Sequence, residues 1–216
     1  EPSIAGALAV VRERIDAATR RAERAPGSVT LVGASKTVPA ERIALALDAG
    51  LHDLGENRAQ ELLAKAPVLA AHATPPRWHL LGRLQRNKVA ALAPLVALWH
   101  TVDRLPLGDA IATRAPGARV LIEVNLGDEP QKGGCAAAEV PVLAERLRQL
   151  GLVVEGLMTV PPQVGEARRW FATLRELALA QRLEQLSMGM TQDYEIAIEE
   201  GATFVRVGRG IFGERH

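Results

Sequence analysis

The sequence predicts one (β/α)8 barrel of the TIM type, with an extra helix at its start. Two observations lead there. Apolar, strand-like runs alternate eight times with stretches of helical period after residue 26, and strict alternation of this kind implies a parallel sheet whose crossovers are helices. Nearly every run also ends in polar residues, as expected where barrel strands deliver side chains to their carboxyl ends. The units average about 24 residues, compact for this fold. An open, doubly wound sheet is the competing architecture. The one GxGxxG, GRGIFG at 208–213, follows the last strand-like run and not the first, which argues against its dinucleotide-binding form.

The elements follow in order. Ser3 to about Arg24 places Ile4, Leu8, Val11, Ile15 and Ala18 on one helical face, and Pro26-Gly27 stops it. VTLVGA (29–34) reads as strand one, and Pro39 to Ala49 as a helix closed by Gly50. HDLGEN is strand two, with a helix from about Arg58 to Ala66. WHLLG and ALWHTVD are strands three and four, each followed by a helix, about 85–92 and 104–114. ARVLIEVNL is strand five, rich in β-branched residues. The loop GDEPQKGG leads to the helix AAAEVPVLAERLRQL, and LVVEGLMTV is strand six. Pro161-Pro162 precedes a helix from about Glu166 to Gln181. LEQLSMG, a helix from about Asp193 to Glu200, and TFVRVG complete the eight units before a last turn, GRGIFGERH. No linker divides the chain, so residues 1–216 form one domain, with 1–25 as the leading helix.

Composition narrows the function classes. The 26 Lys and Arg balance 25 acidic residues, so no global field recruits nucleic acid or a membrane surface. A single cysteine, Cys135, excludes an internal disulfide and a cysteine-rich zinc site, and fits a cytoplasmic protein. No apolar run approaches the roughly 20 residues of a membrane span. The first residues read as an amphipathic helix and not as a secretory signal. Because residue 1 is not Met, the native start is expected to lie upstream.

Lys36 follows strand one, after VTLVGAS. Position alone also fits a solvated loop lysine. Other polar residues gather at the same end: Glu56 and Asn57, His79, Asp103, Asn125, Thr159, Ser187, and Arg206 with Gly208. Glu56 and Asn57 have a second reading as helix caps, and His79 as a core histidine bonded to a carbonyl. Arg206, between Val205 and Val207, is harder to dismiss, since a buried arginine requires an acceptor or an anion. The loops after strands seven and eight, SMGMTQD and VGRGIFG, occupy the usual phosphate position of barrels. There Ser187 offers a hydroxyl, and Gly189, Gly208 and Gly210 permit close backbone approach. A lysine at the mouth, with an anion cradle where the barrel closes, suits pyridoxal 5'-phosphate held on Lys36 as a Schiff base. The amine must then be unprotonated to react, which calls for burial or a neighbouring cation.

These stretches carry a resemblance. SKTVPAERI, GENRAQEL, WHLLGRLQRNK, HTVDR, EVNLGDEPQKGG, GLMTVPP and LSMGMTQDYEIAIEEGATFVRVGRGIFGER resemble, in order and from about Val29 to the end, the YggS/PROSC-type pyridoxal phosphate homeostasis proteins. The resemblance implies a barrel similar to the amino-terminal domain of alanine racemase, with the cofactor on Lys36. It implies Asn57 beside the cofactor, Ser187 at its phosphate, Arg206 facing the pyridine nitrogen, and Gly208 and Arg209 as backbone phosphate donors. His79 joins this set as the polar residue of strand three. Arg209 stands where relatives commonly carry Thr or Ser, so a hydroxyl contact is lost there. The loops after Pro162 and before Leu186 are also shorter than usual.

An arginine at the pyridine nitrogen leaves the ring a weaker electron sink than a carboxylate would. Racemisation needs a second acid–base group on the far side of the substrate carbon, which in alanine racemase is a tyrosine from a second domain and partner subunit. The lone tyrosine here, Tyr194, falls in a helix and reads as a surface or packing residue. The expectation is therefore a non-enzymatic, monomeric carrier that supplies apo pyridoxal phosphate-dependent enzymes, with a weak amino-acid racemase as the alternative. A third reading, nucleic-acid or protein binding through Arg12, Arg20, Arg21 and Arg24, is weakened by interleaved Glu13, Asp16 and Glu23. Arg83, Arg86 and Lys88, just past strand three, remain as a second anion or client contact.

Overall fold

Period-two alternation sets the sheet. In β1 (Thr30–Ala34) Val32 and Ala34 belong to one small apolar cluster, while Leu31 packs against the larger one on the opposite face. The same split recurs in β8 (Phe204–Val207), where Phe204 faces the small cluster and Val205 and Val207 the large one. Between them lie β2 (Asp53–Glu56), β3 (Arg77–Leu80), β4 (Val96–Val102), β5 (Arg119–Glu123), β6 (Val153–Met158) and β7 (Gln185–Met190). Each strand pairs in parallel with the next, and β8 pairs with β1 to close the barrel. The small cluster, with Leu81, Leu98, Leu121 and Met158, fills the barrel interior, and the large one lies between sheet and helices. This computed structural model describes residues 3–162 and 166–213. The first two residues of the predicted domain, residues 163–165 after Pro162, and the end of GRGIFGERH lie outside the described residues.

The predicted eight-unit barrel is therefore the observed one, with the leading helix α1 (Ile4–Arg21) capped by Ser3, whose Oγ accepts from Gly6 N at 3.1 Å. Leu8, Val11 and Ile15 on its buried face each contribute about 2 kcal/mol by leaving water. Several arginines in and just after it are committed to the fold. Arg12 donates to Ala49 O and Gly50 O beyond the end of α2 (Ala40–Asp48). Arg24 donates to Ile198 O and Ala202 O around the end of α8 (Tyr194–Glu199). Arg21 pairs with Glu195 and Glu199.

The other helices are α3 (Ala59–Leu69), α4 (Val89–Leu92), α5 (Leu105–Arg114), α6 (Val140–Gln149), α7 (Ala167–Ala180) and α9 (Arg209–Phe212). Two predicted helices begin later than expected. A tight 3-10 turn occupies Arg86–Lys88 before α4, and another occupies Ala137–Glu139 before α6. In the second case Pro141, which lacks an N–H, is accommodated in the first turn of α6. The regular part of β5 also ends early, at Glu123. Asn125 there folds the following loop onto itself, donating from its amide to Glu129 O at 2.8 Å and accepting from Glu129 N at 3.2 Å. No helix among the described residues is long and apolar enough to cross a membrane.

Candidate cofactor site

A cleft of about 860 Å³ opens at the carboxyl ends of β1, β2, β7 and β8, within the roughly 300–1,000 Å³ of small-molecule sites. Lys36 and Asn57 line one side, and Arg206, Gly208 and Arg209 line another. The pairing of β1 with β8, which sets Val32 opposite Arg206, explains why residues so distant in sequence share one wall.

Lys36 sits on a clamped turn. Thr37 has φ of +65°, a conformation that is sterically costly for a β-branched residue. Its N–H donates to Glu61 Oε2 at 2.7 Å. Behind the turn, Lys65 Nζ donates to Ser35 O at 2.8 Å and meets Glu56 Oε1 at 2.6 Å and Glu61 Oε2 at 3.0 Å. Ser35 Oγ donates to the same Glu56 oxygen at 2.8 Å. Burial raises the Glu56 carboxyl pKa, and the Lys65 and Ser35 hydrogen bonds oppose that rise. Glu56 thus supports the turn from behind and does not cap the next helix. Asn57 is held by close backbone packing, since a Cβ at Gly82 would lie 2.0 Å from Asn57 O.

Arg206 is 5% exposed. Its Nη1 donates to Ser187 Oγ at 2.7 Å and its Nη2 to Thr159 O at 2.9 Å. Desolvation lowers its pKa to about 10, while Glu123 and Asp193 act in the opposite direction. The guanidinium also borders the cleft, where it can present further donors.

Two of the residues expected at the site do not line the cleft. Ser187 is fully buried, with its Oγ bonded to Arg206 and to His100 Nδ1 at 2.8 Å. His79 is also buried, and its partners are side chains, His100 at 2.9 Å and Asp53 at 3.0 Å. The register accounts for Ser187. It pairs with Met158 and Phe204, a layer below Met190, which pairs with Arg206. Thr191, on the loop after β7, presents its side of the cleft instead. That loop turns at Gly189 (φ +94°), and Asp193 Oδ1 accepts from Met190 N at 2.7 Å. The hydroxyl two residues beyond Gly189 in SMGMTQD was the available signal for Thr191. His100 was also unassigned by sequence reasoning, and its signal was a histidine at strand spacing from Leu98.

Tyr194 is 2% exposed, lies beneath the Arg14 guanidinium, and does not line the cleft. Arg83, Arg86 and Lys88 lie off the cleft as well. Among the described residues no group of three His, Cys, Asp or Glu side chains is placed to hold a metal ion. The lining joins an amine, a guanidinium, small residues and the first turn of α9, whose leading N–H groups have no partner within that helix. An aldehyde-bearing phosphate ester fits that donor set.

No family model matches the chain. It is 41% identical over 223 residues to the pyridoxal phosphate homeostasis protein of Pseudomonas aeruginosa, covering 99% of this chain and 96% of that one. It is 46% identical over 222 residues to the protein of the same name from Aquifex aeolicus, covering 96% of each. Among solved structures, PipY of Synechococcus elongatus with PLP bound superposes with a TM-score of 0.79 at 34% identity, covering 94% of this chain and 100% of that one. With the barrel closed and this degree of likeness along almost its whole length, the chain belongs to the pyridoxal phosphate homeostasis protein family.

Proposed function

We propose that this chain binds pyridoxal 5'-phosphate through a Schiff base to Lys36 and keeps it for delivery to apo-enzymes that need it. The observation that carries the reading is the single cleft joining Lys36 to Arg206, Gly208 and Arg209. PipY, a relative, has been solved with PLP bound, and curated relatives are named for its homeostasis. When bound, the cofactor supplies an aldehyde that a lysine amine takes up. The residues of this chain do the rest. The clamped turn aims Lys36, Arg206 offers N–H donors and a positive charge to the ring side, and Thr191 with the backbone of Gly208 and Arg209 receives the phosphate. Asn57 packs beside them.

We read the chain as a monomeric, cytoplasmic carrier, and a non-enzymatic role is favoured over a racemase because no acid–base tyrosine faces the cleft among the described residues. Among the described residues the cleft lining holds no tyrosine, and Asp193 is engaged in its own loop. The test is an absorbance spectrum of purified chain with added cofactor, before and after borohydride, with the modified peptide mapped by mass. A band near about 420 nm is expected in the wild type and absent from Lys36→Ala, since the adduct needs the amine. Reduction should fix the cofactor on the peptide containing Lys36. A label on any other lysine would overturn the site, and rapid solvent-deuterium exchange at the α-carbon of amino acids would overturn the carrier reading.

A further inference from the structure

The interior of the barrel holds a continuous string of polar side chains. Asp53, at the start of β2 and therefore at the end of the barrel opposite the cleft, has Oδ1 3.0 Å from His79 Nε2. His79 Nδ1 lies 2.9 Å from His100 Nε2, and His100 Nδ1 lies 2.8 Å from Ser187 Oγ. Ser187 Oγ lies 2.7 Å from Arg206 Nη1. Phe204 packs against both imidazoles, at ring-centroid distances of 5.9 and 5.6 Å. His79, His100, Ser187 and Arg206 are all buried.

Chemistry fixes the direction of the string. A guanidinium only donates and a carboxylate only accepts. Arg206 therefore donates to Ser187, and His79 Nε2–H donates to Asp53. His100 is fully buried, and desolvation above all, with Arg206 and Arg119 adding to it, holds its pKa well below the ordinary histidine value. It is therefore neutral, with one proton. If that proton sat on Nδ1, Ser187 would accept twice and its hydroxyl proton would find no acceptor among the described residues. His79 would then need a second proton, adding a cation to an interior that already holds Arg206. With the His100 proton on Nε2, every donor points from the cleft toward Asp53 and every polar atom of the string is used.

We propose that Asp53 is a positioning residue for the cleft: through His79, His100 and Ser187 it fixes which donors Arg206 turns inward and which it leaves for a ligand. The proposal rests on the reading of the cleft as a pyridoxal phosphate site. The charged groups around the string are Arg77 beside Asp53, Arg119 (paired with Glu155) near His100, and Glu123 and Asp193 near Arg206. Of these, Asp53 is the anion joined to Arg206 by the string. Removing its charge leaves the guanidinium less compensated, and the more positive cleft disfavours a protonated adduct at Lys36.

The experiment has two arms on the full chain. In the first, histidine ring nitrogens of the unliganded protein are read by two-bond proton–nitrogen correlation. His79 and His100 should both be Nε2–H tautomers, and a proton on Nδ1 of either overturns the proposal. In the second, the pH midpoint of the cofactor band is measured. Asp53→Asn should lower it by about half a unit, because one interior charge has been lost. Arg77→Ala, which disturbs the same end of the barrel but keeps the carboxylate, should move it much less. In a Ser187→Ala background the Asp53→Asn shift should be clearly smaller, since the part carried by the string is already lost and only the through-space effect of the charge remains. A wild-type band with a midpoint indifferent to Asp53→Asn overturns the role of Asp53 alone. A wild type with no band overturns the cofactor reading and this role with it.

Discussion

Glu123 ends β5 inside the upper barrel, and its Oε2 is buried without a hydrogen-bond partner among the described residues. Burial, reinforced by Asp103, raises its carboxyl from 4.5 to about 7, against the pull of Arg206 and Arg83. Between those values the folded chain holds a proton that the unfolded chain has released, so stability falls as pH rises through that window. The shift corresponds to a loss on the order of 3 kcal/mol by about pH 7. Glu123→Gln should remove it: relative to that variant, the wild type should lose stability between about pH 5 and 7 in urea unfolding. A constant difference across the range would contradict the buried, proton-holding carboxyl. At this scale the sequence was a good guide where a residue closes an inward-facing series, as Lys36 and Arg206 do. It was a poor guide to depth. Ser187, His79 and His100 lie on the expected strands, but the stagger of neighbouring strands decides which layer each side chain enters, and no local pattern records that stagger.

At the scale of elements, the turn after β1 is the part most dependent on partners far from it. Thr37 keeps its left-handed backbone because Glu61 holds its N–H and Lys65 holds the carbonyl of Ser35. Lys65 is also the cation opposite the fully buried Glu56. Lys65→Met should therefore cost about 3–5 kcal/mol in urea unfolding by leaving a buried carboxylate unpaired. Adding Glu56→Gln should recover part of it, and an equal loss in the double variant would show that packing, not charge, is at stake. Periodicity predicted the helix α3 that carries Lys65 and Glu61, but not their reach back to the turn. The helices α1 and α7 were read nearly to their ends because their apolar stripes are long. The 3-10 starts before α4 and α6 were not, since single turns carry no period.

For the molecule as a whole, strict alternation of strand and helix made the barrel legible, because parallel neighbours leave few other closures. The loop after β5 brings Cys135 against Val124 and buries it. Burial first, then the nearby Glu139 and Asp103, pushes its thiol up to about 12. A thiol reagent at about pH 8 should hardly touch the native chain and should titrate one cysteine after unfolding, since only thiolate reacts. Fast reaction in the native state would mean that this loop opens readily.

The pairing of β1 with β8 has a consequence for the order of events in folding. The lysine is delivered by the first strand and the arginine by the last, and Val32 meets Arg206 only when the ring of strands has closed. On the proposed reading of the cleft, a chain lacking that seam would own every part of the site but have no grip. Cofactor capture would thus be a late report on folding, available once the most distant contact in the sheet has been made.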